Sequence, residues 1–216
     1  MPHSLPDSGF DRVAAFYDPL ARLVYGRALH TAQQAALQAG LPGGAPRVLI
    51  IGGGTGWVLL EVLHQRPQAR VLYLEASPRM LARARQLLPT AGAAQVEFRL
   101  GTEATLLPTE RFEVIVTFFL LDLFEPGRLR QLVARLHQAR QPGAPWLLAD
   151  FAAPRTWWQR GLLMSMYGFF RLTTGISARS LPPIHQTLGG LGLRPVQELR
   201  FFGGMVEAVV WQDVTL

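Results

Sequence analysis

Short apolar runs alternate with stretches of helical periodicity between residues 47 and 150. A run of four to seven mostly apolar residues bounded by turn residues is typical of a strand buried in a sheet. The predicted strands cover residues 47–51, 71–74, 96–100, 112–118 and 145–149. Helical patterns lie between them, and Ser77-Pro78 begins one, with serine as N-cap and proline at the first helical position. This alternation predicts βαβ units and a mainly parallel sheet.

The two ends of the chain show other patterns. Residues 17–38 have apolar positions at helical spacing, which predicts an N-terminal helix. Residues 195–202 and 205–213 are strand-like and are joined by Gly203-Gly204, which favours a hairpin because two-residue turns need positive φ. The predicted fold is therefore α/β, with a parallel sheet that ends in an antiparallel hairpin.

The composition of the 216 residues narrows the chemistry. The absence of cysteine excludes disulfides, thiolate metal ligands and a cysteine nucleophile. The net charge is +6, but only 17% of the residues are charged and no dense basic run indicates nucleic-acid binding. We find neither a secretion signal nor about 20 uninterrupted apolar residues, so we expect a soluble cytoplasmic protein.

A glycine-rich loop and one downstream acid are the clearest candidates for a binding site. Gly52, Gly54 and Gly56 follow the first predicted strand, where glycines let a backbone approach a ligand closely. The dinucleotide fingerprint needs a glycine at the position of Trp57, so an adenosyl compound without a diphosphate fits better. Glu75 ends the second predicted strand, where a carboxylate can accept hydrogen bonds from ribose hydroxyls.

These segments resemble class I S-adenosylmethionine (SAM)-dependent methyltransferases. The resemblance is carried by residues 48–56, 74–81 and 16–18, and it is strongest to the bacterial small-molecule group that includes the ubiquinone/menaquinone-biosynthesis C-methyltransferases. It implies a Rossmann-like sheet of seven mostly parallel strands, with the last antiparallel and helices on both faces. It also implies a single domain with four parts, namely an N-terminal helical cap (1–45), a SAM-binding core (46–150), a substrate lid (151–192) and a closing hairpin (193–216).

The resemblance also implies which residues bind SAM. The loop glycines would line its methionine part, Glu75 would bind the ribose, and Ala76 and Met80 would contact the adenine face. The glycines are Gly52, Gly53, Gly54 and Gly56.

Further family positions follow the third and fourth strands. Thr102 and Glu103 fall where the family contacts the adenine amino group, and Phe118 and Phe119 would lie beside the sulfonium. Tyr17 would belong to an N-terminal helix that covers the cofactor.

Two positions depart from the family pattern. The usual acid of the first strand is Ile50, and the usual aspartate after the third strand is Thr102. We therefore keep two alternatives to an active methyltransferase. One is a SAM-binding protein with lost or regulatory activity, and the other is a nicotinamide-dependent oxidoreductase, which Trp57 and the terminal hairpin oppose.

Methyl transfer from a sulfonium needs positioning and desolvation more than a catalytic triad or a metal, and the five histidines lack ligand-like spacing. Asp150 ends the fifth strand and Asp122 follows the fourth, and His185 lies in the segment where this family builds its substrate pocket. We take Asp150 and His185 as catalytic candidates, with Asp122 similarly placed. The expected acceptor is a small, apolar or aromatic molecule and not a nucleic acid.

An aromatic, methionine-rich segment covers residues 156–172. As a helix it is too short to cross a bilayer. Three interpretations stay open, in this order of preference: an ordinary core helix, a lid over a hydrophobic acceptor, or a helix that docks on a membrane surface.

Overall fold

The computed structural model describes residues 26–174 and 181–214. Tyr17, the motif at residues 16–18 and the beginning of the helix predicted from residue 17 lie outside the described residues. Within the described part, the chain forms seven strands and six α-helices. The strands are β1 (Arg47–Ile51), β2 (Arg70–Glu75), β3 (Val96–Leu100), β4 (Val114–Phe118), β5 (Trp146–Phe151), β6 (Leu193–Phe201) and β7 (Val206–Asp213). The helices are α1 (Ala28–Gly40), α2 (Trp57–Gln65), α3 (Pro78–Leu87), α4 (Pro126–Ala139), α5 (Trp157–Thr174) and α6 (Ile184–Gly189).

The seven strands form one sheet in the order β3-β2-β1-β4-β5-β7-β6. Strands β1 to β5 pair in parallel, whereas β7 pairs antiparallel with both β5 and β6. The predicted fold, a mostly parallel Rossmann-like sheet closed by an antiparallel strand, is confirmed. The carboxyl ends of β1, β2 and β4 meet at one edge of this sheet, which is where open α/β sheets bind ligands.

Helices cover both faces of the sheet. One core joins α1, α2 and α3 to alternate strand residues such as Val48 and Ile50. The other core joins α4 and α6 to the intervening residues such as Leu49 and Ile51. Because successive side chains of a strand point to opposite faces, the fully apolar run of β1 supplies both cores.

The hairpin is wider than the sequence predicted. The connection between β6 and β7 covers residues 202–205, and Phe202 adopts a positive φ of 49° beside Gly203 and Gly204. Positive φ is uncommon for a bulky side chain, so the pattern of glycines alone did not include Phe202 in the turn. The strand predicted from residue 112 also differs, since β4 begins at Val114 and Phe112 forms an isolated bridge to Arg140.

The predicted start of α3 is present in detail. The Ser77 hydroxyl accepts a hydrogen bond from the Met80 N–H at 3.1 Å, and Pro78 occupies the first turn. This N-cap fixes the direction of α3 directly after β2. Across the described residues, no helix has both the length and the apolar character that crossing a membrane requires.

Candidate cofactor and acceptor site

The loop between β1 and α2 requires glycine at defined positions. Gly52, Gly54 and Gly56 have φ values of 67°, 63° and 102°, which L side chains rarely adopt. A Cβ atom at Gly52 would lie 2.7 Å from the Leu120 side chain, and one at Gly56 would lie 2.7 Å from the Ala84 Cα atom. The last contact lets α2 pack directly against α3, so Gly56 performs the close-packing role that a dinucleotide fingerprint gives to its third glycine.

Gly53 is constrained by a buried tyrosine. A Cβ atom at Gly53 would lie 2.6 Å from the Tyr73 hydroxyl oxygen, and that hydroxyl donates a hydrogen bond to the Gly54 carbonyl at 2.9 Å. Tyr73 is fully buried in β2. Sequence reasoning missed Tyr73 because it treated residues 71–74 only as a buried strand. The available signal was a hydroxyl within an otherwise aliphatic run, since a buried hydroxyl needs a partner.

Glu75 connects the glycine loop with the start of α3. Its Oε2 accepts a hydrogen bond from the Gly54 N–H at 2.9 Å, and its Oε1 accepts one from the Ser77 N–H, also at 2.9 Å. Each carboxylate oxygen has two lone pairs, so these bonds leave capacity for ribose hydroxyls. The two parts of the predicted SAM site are therefore adjacent and rigidly joined, and the ribose contact itself stays a prediction.

Met80, a predicted adenine contact, lies against the glycine loop. The Met80 sulfur would be 3.9 Å from a Cβ atom at Gly54, and its side chain is buried. Ala76 is half-buried between Glu75 and Ser77. Ile50 lies in the core below the loop, so that position offers only its backbone to a ligand.

Glu103 forms an ion pair with α4. Its carboxylate oxygens lie 2.7 and 2.8 Å from the two terminal nitrogens of Arg128, which gives the bidentate geometry that favours arginine. The Arg128 guanidinium also lies 5.4 Å from the centre of the Phe124 ring. An adenine contact by Glu103 would therefore share this carboxylate with Arg128. Thr102, the other predicted adenine contact, accepts a 3.4 Å hydrogen bond from the Ala104 N–H.

Aromatic side chains surround the carboxyl ends of β4 and β5. Phe119 has a φ of 51°, which is unusual for a non-glycine residue, and its N–H donates a 2.7 Å hydrogen bond to the Ala149 carbonyl. Its ring lies 5.4 Å from the Phe151 ring. Phe118 is buried beside it. The predicted sulfonium neighbours thus form an apolar wall at the edge where the glycine loop lies.

Asp122 and Asp150 form a buried acid pair at the same edge. Both are almost fully buried, and they lie close enough for each to affect the ionisation of the other. Burial raises the pKa of Asp122 to about 7. Burial and the neighbouring Asp122 raise the pKa of Asp150 well above its usual range. Two like charges in a poorly hydrated site are costly, so the buried pair favours a state that retains a proton.

The neighbouring strand adds a third buried acid. Glu207 of β7 lies directly opposite Asp150 of β5, and its Oε1 is 2.5 Å from His185 Nε2. The Arg200 guanidinium is 3.4 Å from the other carboxylate oxygen of Glu207. The hydrogen bond to Glu207 raises the pKa of His185 above its ordinary value. Glu207 thus lies beside both predicted catalytic residues, since it is in register with Asp150 and hydrogen-bonded to His185.

Sequence reasoning did not single out Glu207. The signal was present, because Glu207 is the one charged residue within the apolar run 205–211. A charge inside a buried strand needs a partner, and the sequence alone does not show that β7 lies beside β5 or that His185 packs on it.

Comparison with known proteins agrees with this geometry. Residues 48–143 match the family model Methyltransf_25, described as a methyltransferase domain. The matched residues, which are less than half of the chain, lie within the seven-stranded sheet that carries the glycine loop. This match supports the predicted class I SAM-dependent methyltransferase and SAM as its cofactor.

Individual relatives share parts of the chain. A trans-aconitate 2-methyltransferase of Streptomyces coelicolor is 34% identical over 134 residues, which are 56% of this chain and 44% of that protein. The chain therefore spans less than half the length of this curated relative. The mitomycin 7-O-methyltransferase MmcR has 22% identity and a TM-score of 0.68, covering 96% of this chain and 61% of that one.

A third neighbour holds a bound cofactor product. CalO1, a methyltransferase of calicheamicin biosynthesis in its SAH-bound form, has 17% identity and a TM-score of 0.66, covering 92% of this chain and 56% of that one. The residues present here fit such a ligand, because the glycine loop is open to close backbone approach and Glu75 is fixed beside it.

Proposed function

We propose that this protein transfers a methyl group from SAM to a small acceptor with an apolar or aromatic body. The observation that carries the proposal is the bond between Gly54 and Glu75 at the sheet edge lined by Phe119 and Phe151. A rigid adenosyl site thus lies close to an apolar wall. Such a wall excludes water from a displacement reaction in which charge disappears.

The cofactor contacts follow from this arrangement. The loop glycines would bind the methionine part through their backbone, and Glu75 would bind the ribose. Met80 and Ala76 would pack on the adenine. Thr102 is the better candidate for the adenine amino group, because Arg128 already holds the Glu103 carboxylate.

The acceptor side would be formed by residues 151–192 as a lid, with residues 1–45, including Tyr17, covering the cofactor. SAM supplies an activated methyl group, so the chain has to orient the acceptor and, where the acceptor is protonated, take up its proton. Asp150 is the stronger candidate for that proton, because burial and the neighbouring Asp122 raise its pKa above that of an ordinary carboxyl group and so make it a stronger base. The hydrogen bond to Glu207 raises the pKa of His185 and so favours its charged form, which suits a role in holding charge more than one as a base.

A carboxylate acceptor is the second candidate. The curated relative is named for trans-aconitate, an acid, and the described fold would place such an acceptor near the buried carboxyl groups of Asp122, Asp150 and Glu207. Like charges in a poorly hydrated site repel, so we rank this acceptor class below a neutral aromatic one.

Two measurements test the proposal. Calorimetry with SAH should give a single site per chain, and the same titration with a nicotinamide dinucleotide should give none. Transfer of labelled methyl groups from SAM should then be measured against a panel of phenols, hydroquinones, planar aromatic amines and trans-aconitate. Asp150→Asn should lower transfer to hydroxyl acceptors while SAH affinity stays unchanged. Glu113→Asn is the control, since Glu113 lies at the opposite edge of the sheet beside Arg47.

Each outcome separates the alternatives. Absence of SAH binding would overturn the cofactor assignment. SAH binding without transfer to any acceptor would favour a SAM-binding protein with lost activity. Transfer to trans-aconitate alone would overturn the apolar acceptor and support the second candidate.

A further inference from the structure

Helix α5 presents an apolar face to solvent. Gln159 and Leu163 are buried against the body of the domain, with 3% and 6% of their surface exposed. Trp157 and Met164, on the opposite side of the helix, are 85% and 74% exposed. Large apolar side chains with this exposure are unusual on a helix that is otherwise docked, and an exposed pair on one face marks an interaction surface.

The spacing makes this face continuous. Trp157, Gly161, Met164 and Gly168 recur at intervals of four, three and four residues, so they align along one side of α5. A Cβ atom at Gly161 or Gly168 would meet nothing within 4 Å. The two glycines therefore do not serve close helix packing within the described residues, and they leave the indole and the thioether prominent.

The stretch of sequence that contains this face carries charge of a single sign. Residues 151–197 contain five arginines and neither aspartate nor glutamate, although the whole chain has 15 acidic residues. Arg160 lies on α5 between Trp157 and Met164 in sequence, Arg155 precedes the helix, and both are exposed. Exposed tryptophan flanked by arginine is the combination that binds the headgroup region of an anionic bilayer.

We propose that the outer face of α5, defined by Trp157, Met164, Arg155 and Arg160, docks on an anionic lipid surface. The helix lies in the plane of the interface, with the indole and the thioether in the acyl boundary and the guanidinium groups on the lipid phosphates. It does not span the bilayer. The arginines of this segment have no acidic residue beside them in sequence, so an anionic surface attracts them. A neutral partner would not interact with this charge.

The position of α5 connects the surface to the site. The helix starts six residues after β5 ends at Phe151, and the Gln159 side chain donates a 2.9 Å hydrogen bond to the Gly203 carbonyl in the hairpin turn. Docking through α5 therefore holds the acceptor edge of the sheet near the lipid. The inference stands on the exposed face and its charge, and it does not depend on methyl transfer.

The test uses the full chain and vesicles of stated composition. Co-sedimentation is carried out at roughly 0.1 M salt with phosphatidylcholine vesicles that contain about 30% phosphatidylglycerol. The protein should bind to these vesicles. Binding to pure phosphatidylcholine should be at least about tenfold weaker, and added salt should weaken the anionic binding further. Indole fluorescence of the bound protein should shift to shorter wavelength.

Matched variants locate the surface. Trp157→Ser with Met164→Ser should reduce binding by about tenfold or more, whereas Leu107→Ser, at a 56% exposed leucine outside α5, should not. Arg155→Gln with Arg160→Gln should weaken binding more than Arg70→Gln with Arg130→Gln, which removes the same charge from other exposed positions. A thermal shift with SAH in every variant confirms folding and reports the cofactor site separately.

Three results would overturn the proposal. Equal binding to neutral and anionic vesicles would refute the attraction to anionic lipid. Unchanged binding of the Trp157/Met164 double variant would show that the outer face of α5 does not contact the vesicle. A dimer in light scattering that the double variant abolishes, with no vesicle binding, would assign the face to a second copy of the chain. Loss of SAH binding with retained vesicle binding would refute only the proposed function.

Discussion

Glu75 Oε2 lies 2.9 Å from the Gly54 backbone nitrogen, so the acid that ends β2 fixes the loop that follows β1. The same carboxylate accepts the Ser77 N–H, which begins α3. The Glu75 side chain thus fixes the positions of three elements relative to one another, namely the loop after β1, the end of β2 and the start of α3. A ligand that binds there meets backbone groups that are already ordered, which lowers the entropy lost on binding.

Replacing Glu75 with glutamine should weaken SAH binding roughly tenfold to a hundredfold, because a charged hydrogen bond contributes about 1.5–3 kcal/mol. Glutamine keeps one acceptor oxygen, for either the Gly54 or the Ser77 N–H. Its amide NH2 group then faces the other N–H, so two donors meet and no hydrogen bond forms there. Glu113→Gln is the control, since Glu113 also accepts a backbone N–H, from Arg47 at 2.7 Å, at the other edge of the sheet. Calorimetry measures both, and equal affinities for the two variants would contradict the assigned role.

A methyl group at Gly53 should displace the loop. In Gly53→Ala the new Cβ would lie 2.6 Å from the Tyr73 hydroxyl, so either the loop or the tyrosine must move. We expect a lower melting temperature and at least about tenfold weaker SAH binding, since overpacking costs roughly 1–3 kcal/mol. Gly43→Ala is the matched control and should change neither property, because a Cβ atom at Gly43 meets nothing within 4 Å. Gly53→Ala combined with Tyr73→Phe should recover little, since the ring carbons are equally close.

The local pattern of the sequence was sufficient for most of the fold. The Ser77-Pro78 start, the apolar run at residues 47–51 and the terminal hairpin are each local signals, and the structure contains all three. Family resemblance supplied the strand count. The boundaries that differ, such as the first residue of β4, depend on pairing partners that periodicity does not contain.

The candidate site was predictable only residue by residue. Asp122 and Asp150 were candidates because one follows a strand and the other lies at the end of one, but their raised pKa values arise from burial beside each other in the folded chain. The ion pair of Glu103 with Arg128 and the bond of His185 to Glu207 join residues 25 and 22 positions apart. Such long-range pairs are products of tertiary packing, so no local signal identifies the partner.

The acid pair predicts a fall in stability as pH rises. Asp122 has a pKa of about 7 when folded and near 3.9 when unfolded, so the folded state binds more protons in between. Its contribution is fully present below about pH 4 and is lost as pH rises through about 7. Asp122→Asn should flatten this decline in urea unfolding experiments. Asp213→Asn should act in the opposite direction, because Arg140 lowers the pKa of Asp213. If Asp122→Asn left the dependence of the unfolding free energy on pH unchanged, the raised pKa of Asp122 would be contradicted.

His185 should add a second decline at higher pH. Its pKa is raised by Glu207, so its contribution is complete below about 6.5, the unfolded value, and disappears as pH rises through the folded pKa. His185→Gln and Glu207→Gln should each remove that component, which NMR titration of the imidazole can follow directly. His64→Gln, at a histidine on α2, serves as control. If Glu207→Gln left the imidazole titration at its original midpoint, Glu207 would not be its electrostatic partner.

Gln159 should hold α5 to the hairpin. Its Oε1 accepts the N–H groups of Arg155 and Thr156 at 2.7 and 3.1 Å, and its Nε2 donates to the Gly203 carbonyl. Gln159→Ala removes these three part-buried hydrogen bonds, so the unfolding free energy should fall by about 1–3 kcal/mol.

The loss should be local as well as global. Amide hydrogen exchange should accelerate first in α5 and in the turn at residues 202–205, because the Gln159 side chain connects these two elements. Ser165→Ala is the control on the same helix, since its exposed hydroxyl bonds only to the Leu162 carbonyl one turn earlier. The exchange rates of Gln159→Glu should lie between those of Gln159→Ala and Ser165→Ala. Glutamate keeps the acceptor for both N–H groups but places a carboxylate against the Gly203 carbonyl. If Gln159→Ala and Ser165→Ala gave the same exchange pattern, α5 would be held by its apolar contacts alone.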